Sequence, residues 1–258
     1  MNIQLRKFKP DKIADDKVCV FVGKRGTGKS TLVTDIMYHK RHIPVGLVMS
    51  ATEEGNHYYK DYVPDSFIYG EYDKEVVEKL LGRQKKMVGE DKPNPHAYLL
   101  LDDCMYDKKF LRDTCIRQCF MNGRHWKLFF MLTMQYCMDL DASLRANIDY
   151  VFVLRENIIG NRERLWKNFF GIFPTFDMFN QVMNACTENY ECLVIDNTAK
   201  SNKLQDCVFW YKADVRKPFH MGSPSVWNYH KKNYNPNNSK DADVSRIKNK
   251  TTIKVTKT

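Results

Sequence analysis

Eight residues, Gly23-Lys24-Arg25-Gly26-Thr27-Gly28-Lys29-Ser30, constrain the fold of this chain more than any other stretch. They follow an apolar run at residues 18–22 and lead into an amphipathic stretch at 29–38. The pattern G-x-x-x-x-G-K-[ST] between a strand and a helix is that of a phosphate-binding loop. Gly23, Gly26 and Gly28 let the backbone take left-handed angles and bring its N–H groups against phosphate oxygens. Lys29 supplies a mobile positive charge for the β- and γ-phosphates. Ser30 offers a hydroxyl to Mg²⁺, and the helix behind it aims its positive dipole end at the anion. Gly23, Lys24, Arg25, Gly26, Thr27, Gly28, Lys29, Ser30 and Thr31 are therefore the nucleotide-binding candidates, with ATP and Mg²⁺ as the expected ligands.

Around this loop, short apolar runs alternate with helical patterns. Strands are predicted at residues 18–22, 45–50, 98–101, 128–133, 150–154, 192–195 and 208–211, with a short one at 67–69. Helical spacing covers 73–88, 108–122 (stopping at Gly123), 162–170 and 176–186. Strands separated by helices imply an α/β fold whose mostly parallel sheet is covered by helices on both faces. Residues 1–227 read as one such domain. The apolar runs are far shorter than the roughly 18 residues a membrane span needs, and no signal peptide is expected. Eight cysteines without a CxxC pair fit reduced thiols rather than a disulfide framework.

Residues 98–103, Tyr-Leu-Leu-Leu-Asp-Asp, form an apolar strand closed by two carboxylates. Beside a phosphate loop, Asp102 can hold Mg²⁺ together with Ser30, and Asp103 is placed to orient or deprotonate an attacking water. Many ATPases use glutamate at the second position, so the shorter Asp103 needs a closer approach or an intervening water. Gln135, just past the apolar run at 128–134, can reach the γ-phosphate and sense which nucleotide is bound.

Taken in order, Gly23–Ser30, Leu99–Asp103, Gly123-Arg124-His125, Thr133-Met134-Gln135 and Arg145-Ala146-Asn147-Ile148-Asp149 resemble the FtsK–HerA superfamily of DNA-pumping ATPases. Within it, the chain is most similar to the genome-packaging ATPases of large nuclear and cytoplasmic DNA viruses, including the poxvirus type. The resemblance implies a homo-oligomeric ring that hydrolyses ATP to move double-stranded DNA into a capsid, with viral portal, capsid or membrane components as partners. It implies a location in the host cytoplasm, at the viral factory, with the virion as a second place. It also implies a sheet in which the strand ending at Gln135 lies between the phosphate-loop strand and the Asp102 strand. In such rings an arginine completes the neighbour's site; Arg124 and Arg145 are the candidates here, and Arg155 is a third.

The net charge is +10, and its distribution is uneven. Residues 228–258 hold eight basic and two acidic side chains, a net +6, and leave +4 for residues 1–227. That segment reads as a flexible basic tail, either merely solubilising or an arm for nucleic-acid phosphates. Other features carry less. Cys115, Cys119 and His125 lack a second ligand pair at zinc-like spacing, so buried thiols are the expected state. The phenylalanines at 169, 170, 173 and 176 read as core or subunit contact, and the basic turn at 39–42 as a solvated face. Two other functions stay open: a nucleoside or small-molecule kinase on the same fold, and a nucleotide-gated DNA-binding protein without turnover. A large terminase would need a nuclease domain for which little chain remains.

Overall fold

In chain order the strands are β1 (Arg6–Lys7), β2 (Val18–Val22), β3 (Gly46–Ser50), β4 (Ile68–Tyr69), β5 (Ala97–Asp102), β6 (Leu128–Met134), β7 (Tyr150–Val153), β8 (Glu191–Asp196) and β9 (Val208–Lys212). The helices are α1 (Lys29–His39), α2 (Lys74–Gly89), α3 (Thr114–Asn122), α4 (Ala142–Arg145), α5 (Ile159–Phe169), α6 (Phe176–Cys186), α7 (Leu204–Cys207) and α8 (Pro224–Asn233). The computed structural model describes residues 3–52, 57–104, 110–136 and 140–234.

All nine strands join one sheet in the order β1-β9-β8-β7-β2-β6-β5-β3-β4. β2, β5 and β6 are buried along their whole length, as strands apolar on both faces must be. Successive residues point to opposite faces, so each strand feeds two cores. Val18, Val20, Leu99, Leu101, Phe130 and Leu132 pack on one face with apolar side chains of α2, α3, α5 and α6. Cys19, Phe21, Tyr98, Leu100, Phe129 and Met131 pack on the other with Leu32, Val33, Ile36 and Met37 of α1. The sheet is mostly parallel, as expected; β8 alone runs antiparallel to both its neighbours, β7 and β9. β6 lies between β2 and β5, also as expected.

Three expectations need correction. The helix predicted over 108–122 starts at Thr114, because the Asp113 carboxylate accepts the Cys115 N–H and caps it; a short 3-10 turn, Phe110–Arg112, precedes it. The proposed division at 227/228 falls inside α8, so residues 228–233 are helical, and Ser66 Oγ lies 2.8 Å from His230 Nδ1. Residues 235–258 lie outside the described residues. The basic turn is not simply solvated: Lys40 is buried, with its Nζ on the Ile13 carbonyl and 2.9 Å from Asp15 Oδ1. β1 escaped the sequence patterns because two exposed basic residues show no alternation.

Cys115 and Cys119 are buried, and desolvation pushes the Cys115 thiol up to about 11. Phe170 and Phe173 pack against Phe179 at ring separations of 5.1 and 5.7 Å, so these phenylalanines are core.

Asp35, fully buried in α1, ties that helix to the segment after β9. It accepts from Arg216 Nε at 2.6 Å, from the Asp214 N–H at 3.1 Å and from the Tyr211 hydroxyl. Asp35→Ala leaves Arg216 and Tyr211 facing a buried gap. The expected loss is about 3–5 kcal/mol of unfolding free energy, read from a denaturant titration; a change below about 1 kcal/mol would contradict this account.

Candidate active site

Because β2, β6 and β5 are parallel, their C-terminal ends open on one edge of the sheet. The glycine-rich turn leaves β2 there, and the Gly23 N–H donates to the Met134 carbonyl of β6 at 3.1 Å. Gly26 and Gly28 take φ of +77° and +93°, angles that favour glycine. Gly23 does not share that angle. It is needed for space, since a Cβ there would lie 2.8 Å from both Leu154 Cδ1 and Thr27 Oγ1. Thr27 Oγ1 closes the turn by donating to the Lys24 carbonyl at 2.7 Å. The Lys24 side chain is drawn aside to Glu156, 2.6 Å away, and Asn157, 3.2 Å away, in the loop after β7.

The acidic pair closes the other side of the edge. Asp102, the last residue of β5, is 4% exposed. Its Oδ1 accepts from Thr133 Oγ1 at 2.6 Å and its Oδ2 from the Tyr59 hydroxyl at 2.9 Å. Burial raises its carboxyl above the usual range, and these two donors act in the opposite sense. Asp103 turns out of the strand with φ of +51°, and its N–H donates to the same Thr133 Oγ1 at 2.9 Å. That turn brings Asp103 Oδ1 to 2.5 Å from Lys29 Nζ, while Lys29 itself is 7% exposed. The first residue of α1 and the residue after β5 are thus joined across the mouth of a 620 Å³ cavity. Lys24, Arg25, Gly26, Gly28, Lys29, Ser30 and Thr31 line it together with Ala51, Thr52, Asp102 and Asp103.

The cavity has the chemistry of a triphosphate site. Backbone amides of a left-handed turn and a helix start face a buried lysine and two carboxylates. Among the described residues no group of three or more His, Cys, Asp or Glu could hold a metal alone. One hydroxyl, Ser30, and one buried carboxylate, Asp102, instead suit Mg²⁺ shared with phosphate oxygens and water.

The remaining candidates are distributed differently. Gln135 follows β6 at the same edge but lines a separate small cavity with Val22, Glu156, Asn161 and Arg164. Arg124 and Arg145 precede β6 and β7, and so lie at the opposite edge of the sheet. There Arg124 approaches Asp149 at 3.5 Å and Arg145 bonds the Leu140 carbonyl. Neither can complete the site of its own chain. Arg155, by contrast, follows β7 and borders Gly26 and Thr27 on the phosphate-loop edge.

Sequence reasoning assigned no role to Thr133, Tyr59 or Glu156. Thr133 had a visible signal, a lone hydroxyl in the apolar run of β6. Tyr59 and Glu156 had none, because distant segments bring them to the site.

The chain is similar to known proteins in sequence and in fold. A family model described as Poxvirus A32 protein matches residues 5–216. A protein of Acanthamoeba polyphaga mimivirus is 38% identical over 249 residues, covering 93% of this chain and 87% of its own. The genome packaging NTPase of Sulfolobus turreted icosahedral virus 2, solved with AMP, superposes with a TM-score of 0.57 at 15% identity, over 78% of this chain and all of that one. ATPases 2 and 3 of EssC from Geobacillus thermodenitrificans give a TM-score of 0.53 at 13% identity, over 84% of this chain and 43% of that one. At these identities the two structures show a shared fold.

Proposed function

Since the chain belongs to the Poxvirus A32 protein family, we propose that it is a DNA-packaging ATPase that hydrolyses ATP to drive duplex DNA into a capsid. The observation that carries the hydrolysis is the Lys29–Asp103 pair, 2.5 Å apart across a phosphate loop. An arriving triphosphate competes with Asp103 for the Lys29 ammonium. Lys29 then offsets negative charge on the β- and γ-phosphates, and the freed Asp103 carboxylate accepts a proton from, or orients, the water in line with the γ-phosphorus. Ser30 and Asp102 would hold Mg²⁺, which when bound neutralises phosphate charge. Thr133 keeps Asp102 and the Asp103 backbone in register. In this reading Gln135 reports the γ-phosphate from the next cavity.

In the proposed ring an arginine of one chain would complete its neighbour's site. Arg124 and Arg145 lie at the edge opposite the phosphate loop, where they can act only on a neighbouring chain. Arg124→Ala and Arg145→Ala are each expected to leave ATP binding unchanged. The residue that acts in trans should show a fall in turnover of about 10³-fold or more in the assembled oligomer. Unchanged turnover in both variants would contradict a trans role for either.

Duplex DNA should stimulate phosphate release from ATP, and the stimulation should fall steeply as salt rises, because phosphate contacts release counterions. Size-exclusion of the same samples should show an oligomer. Stimulation by a nucleoside alone would make the chain a kinase. Nucleotide binding without phosphate release, even with DNA, would make it a nucleotide-gated DNA-binding protein.

A further inference from the structure

A triphosphate held by this loop has a direction. Its γ end meets Lys29 and Asp103 on the β5 side of β2, so the α-phosphate and its nucleoside leave toward β7. β8 runs antiparallel to β7, with Val153 opposite Leu193, and its start therefore returns to the phosphate-loop edge. A second cavity of 240 Å³ opens at that point, lined by Gly26, Thr27, Arg155, Glu188, Asn189 and Tyr190. It shares Gly26 with the phosphate cavity, so one ligand can occupy both.

Tyr190 is the unusual member. Asn189 and Tyr190 take successive left-handed angles, φ of +51° and +64°, the second uncommon for a bulky side chain. The turn sets the Tyr190 ring against the phosphate loop, where a Cβ on Gly28 would lie 3.1 Å from its Cδ1. Even so, Tyr190 is 68% exposed, so the large ring is presented rather than packed away. An exposed aromatic face beside a phosphate site matches the flat π-surface of a nucleobase. Arg155, an exposed residue lining the same cavity, offers guanidinium donors to ribose hydroxyls.

We propose that Tyr190 and Arg155 form the nucleoside subsite of the ATP site, with Tyr190 stacking on the base and Arg155 holding the ribose. This rests on the ATPase reading and adds to it the residues that distinguish a nucleotide from bare polyphosphate. It also gives Arg155 a role within its own chain.

The test compares binding of ATP and of inorganic tripolyphosphate, each with Mg²⁺, to the full chain by calorimetry. Tyr190→Ala should weaken ATP roughly 10- to 100-fold, the range for loss of one base–aromatic stack, and leave tripolyphosphate unchanged. Tyr190→Phe, which keeps the ring, should bind both as the unaltered chain does. Arg155→Gln should weaken ATP and spare tripolyphosphate. Unchanged ATP affinity in Tyr190→Ala overturns the stacking role. Equal loss of both ligands overturns it too, because the ring would then act only by propping the phosphate loop. If the unaltered chain binds neither ligand, the ATPase reading falls as well, an outcome distinct from the other two.

Discussion

Replacing Lys29 with alanine is expected to lower ATP turnover at least about 10²–10³-fold, the loss seen when one preorganised electrostatic stabiliser is removed. Two features of the structure make this a test of chemistry rather than of folding. Alanine is a strong helix former and Lys29 opens α1, so the helix start is retained. The abandoned Asp103 carboxylate is 24% exposed and keeps contact with water, which limits the cost of leaving it unpaired. The variant should therefore unfold at nearly the same denaturant concentration as the unaltered chain while its phosphate release falls by that factor. Turnover within about tenfold of the original would mean that the phosphates are charge-balanced elsewhere.

Asp103→Asn separates binding from chemistry. Asparagine tolerates the left-handed φ of +51° that Asp103 adopts, so the turn out of β5 survives. The neutral amide no longer holds Lys29, and an incoming triphosphate has one less negative charge to displace. ATP is expected to bind at least as tightly as to the unaltered chain. Turnover is expected to fall about 10²–10⁴-fold, the usual contribution of a positioned general base. Normal hydrolysis in this variant would remove Asp103 from the mechanism and leave only its structural pairing with Lys29.

Much of the site was legible because its chemistry is local. Gly26, Gly28, Lys29 and Ser30 are fixed by the demands of a phosphate turn, and Asp102 by its place at the end of an apolar strand. The central strands showed themselves as continuous apolar runs, and the β2-β6-β5 order was an implication of the family resemblance, not of the strand patterns themselves. What stayed hidden depends on long-range contacts. Lys24 meets Glu156 across 132 positions of sequence, and Asp102 receives the Tyr59 hydroxyl across 43. The exit of Asp103 from the strand, which lets a short carboxylate reach Lys29, is a backbone feature with no spacing signature. Arg155 stood only as a third candidate for acting on a neighbour, yet of the three it borders the phosphate loop of its own chain. Charge misled in a different way. The basic segment from residue 228 reads as a tail by composition, but its first residues complete α8, which already starts at Pro224 and is tied back by Trp227 Nε1 donating to the Met221 carbonyl at 2.8 Å.

The central claim is that one site, between the phosphate loop and the Asp102-Asp103 pair, binds ATP for hydrolysis. Amide hydrogen exchange of the full chain, with and without Mg²⁺ and a non-hydrolysable ATP analogue, tests its location directly. The account predicts slowed exchange confined chiefly to residues 23–31, 102–103 and 187–190, the segments that line the two joined cavities. Protection elsewhere, with these amides unchanged at saturating analogue, would contradict it.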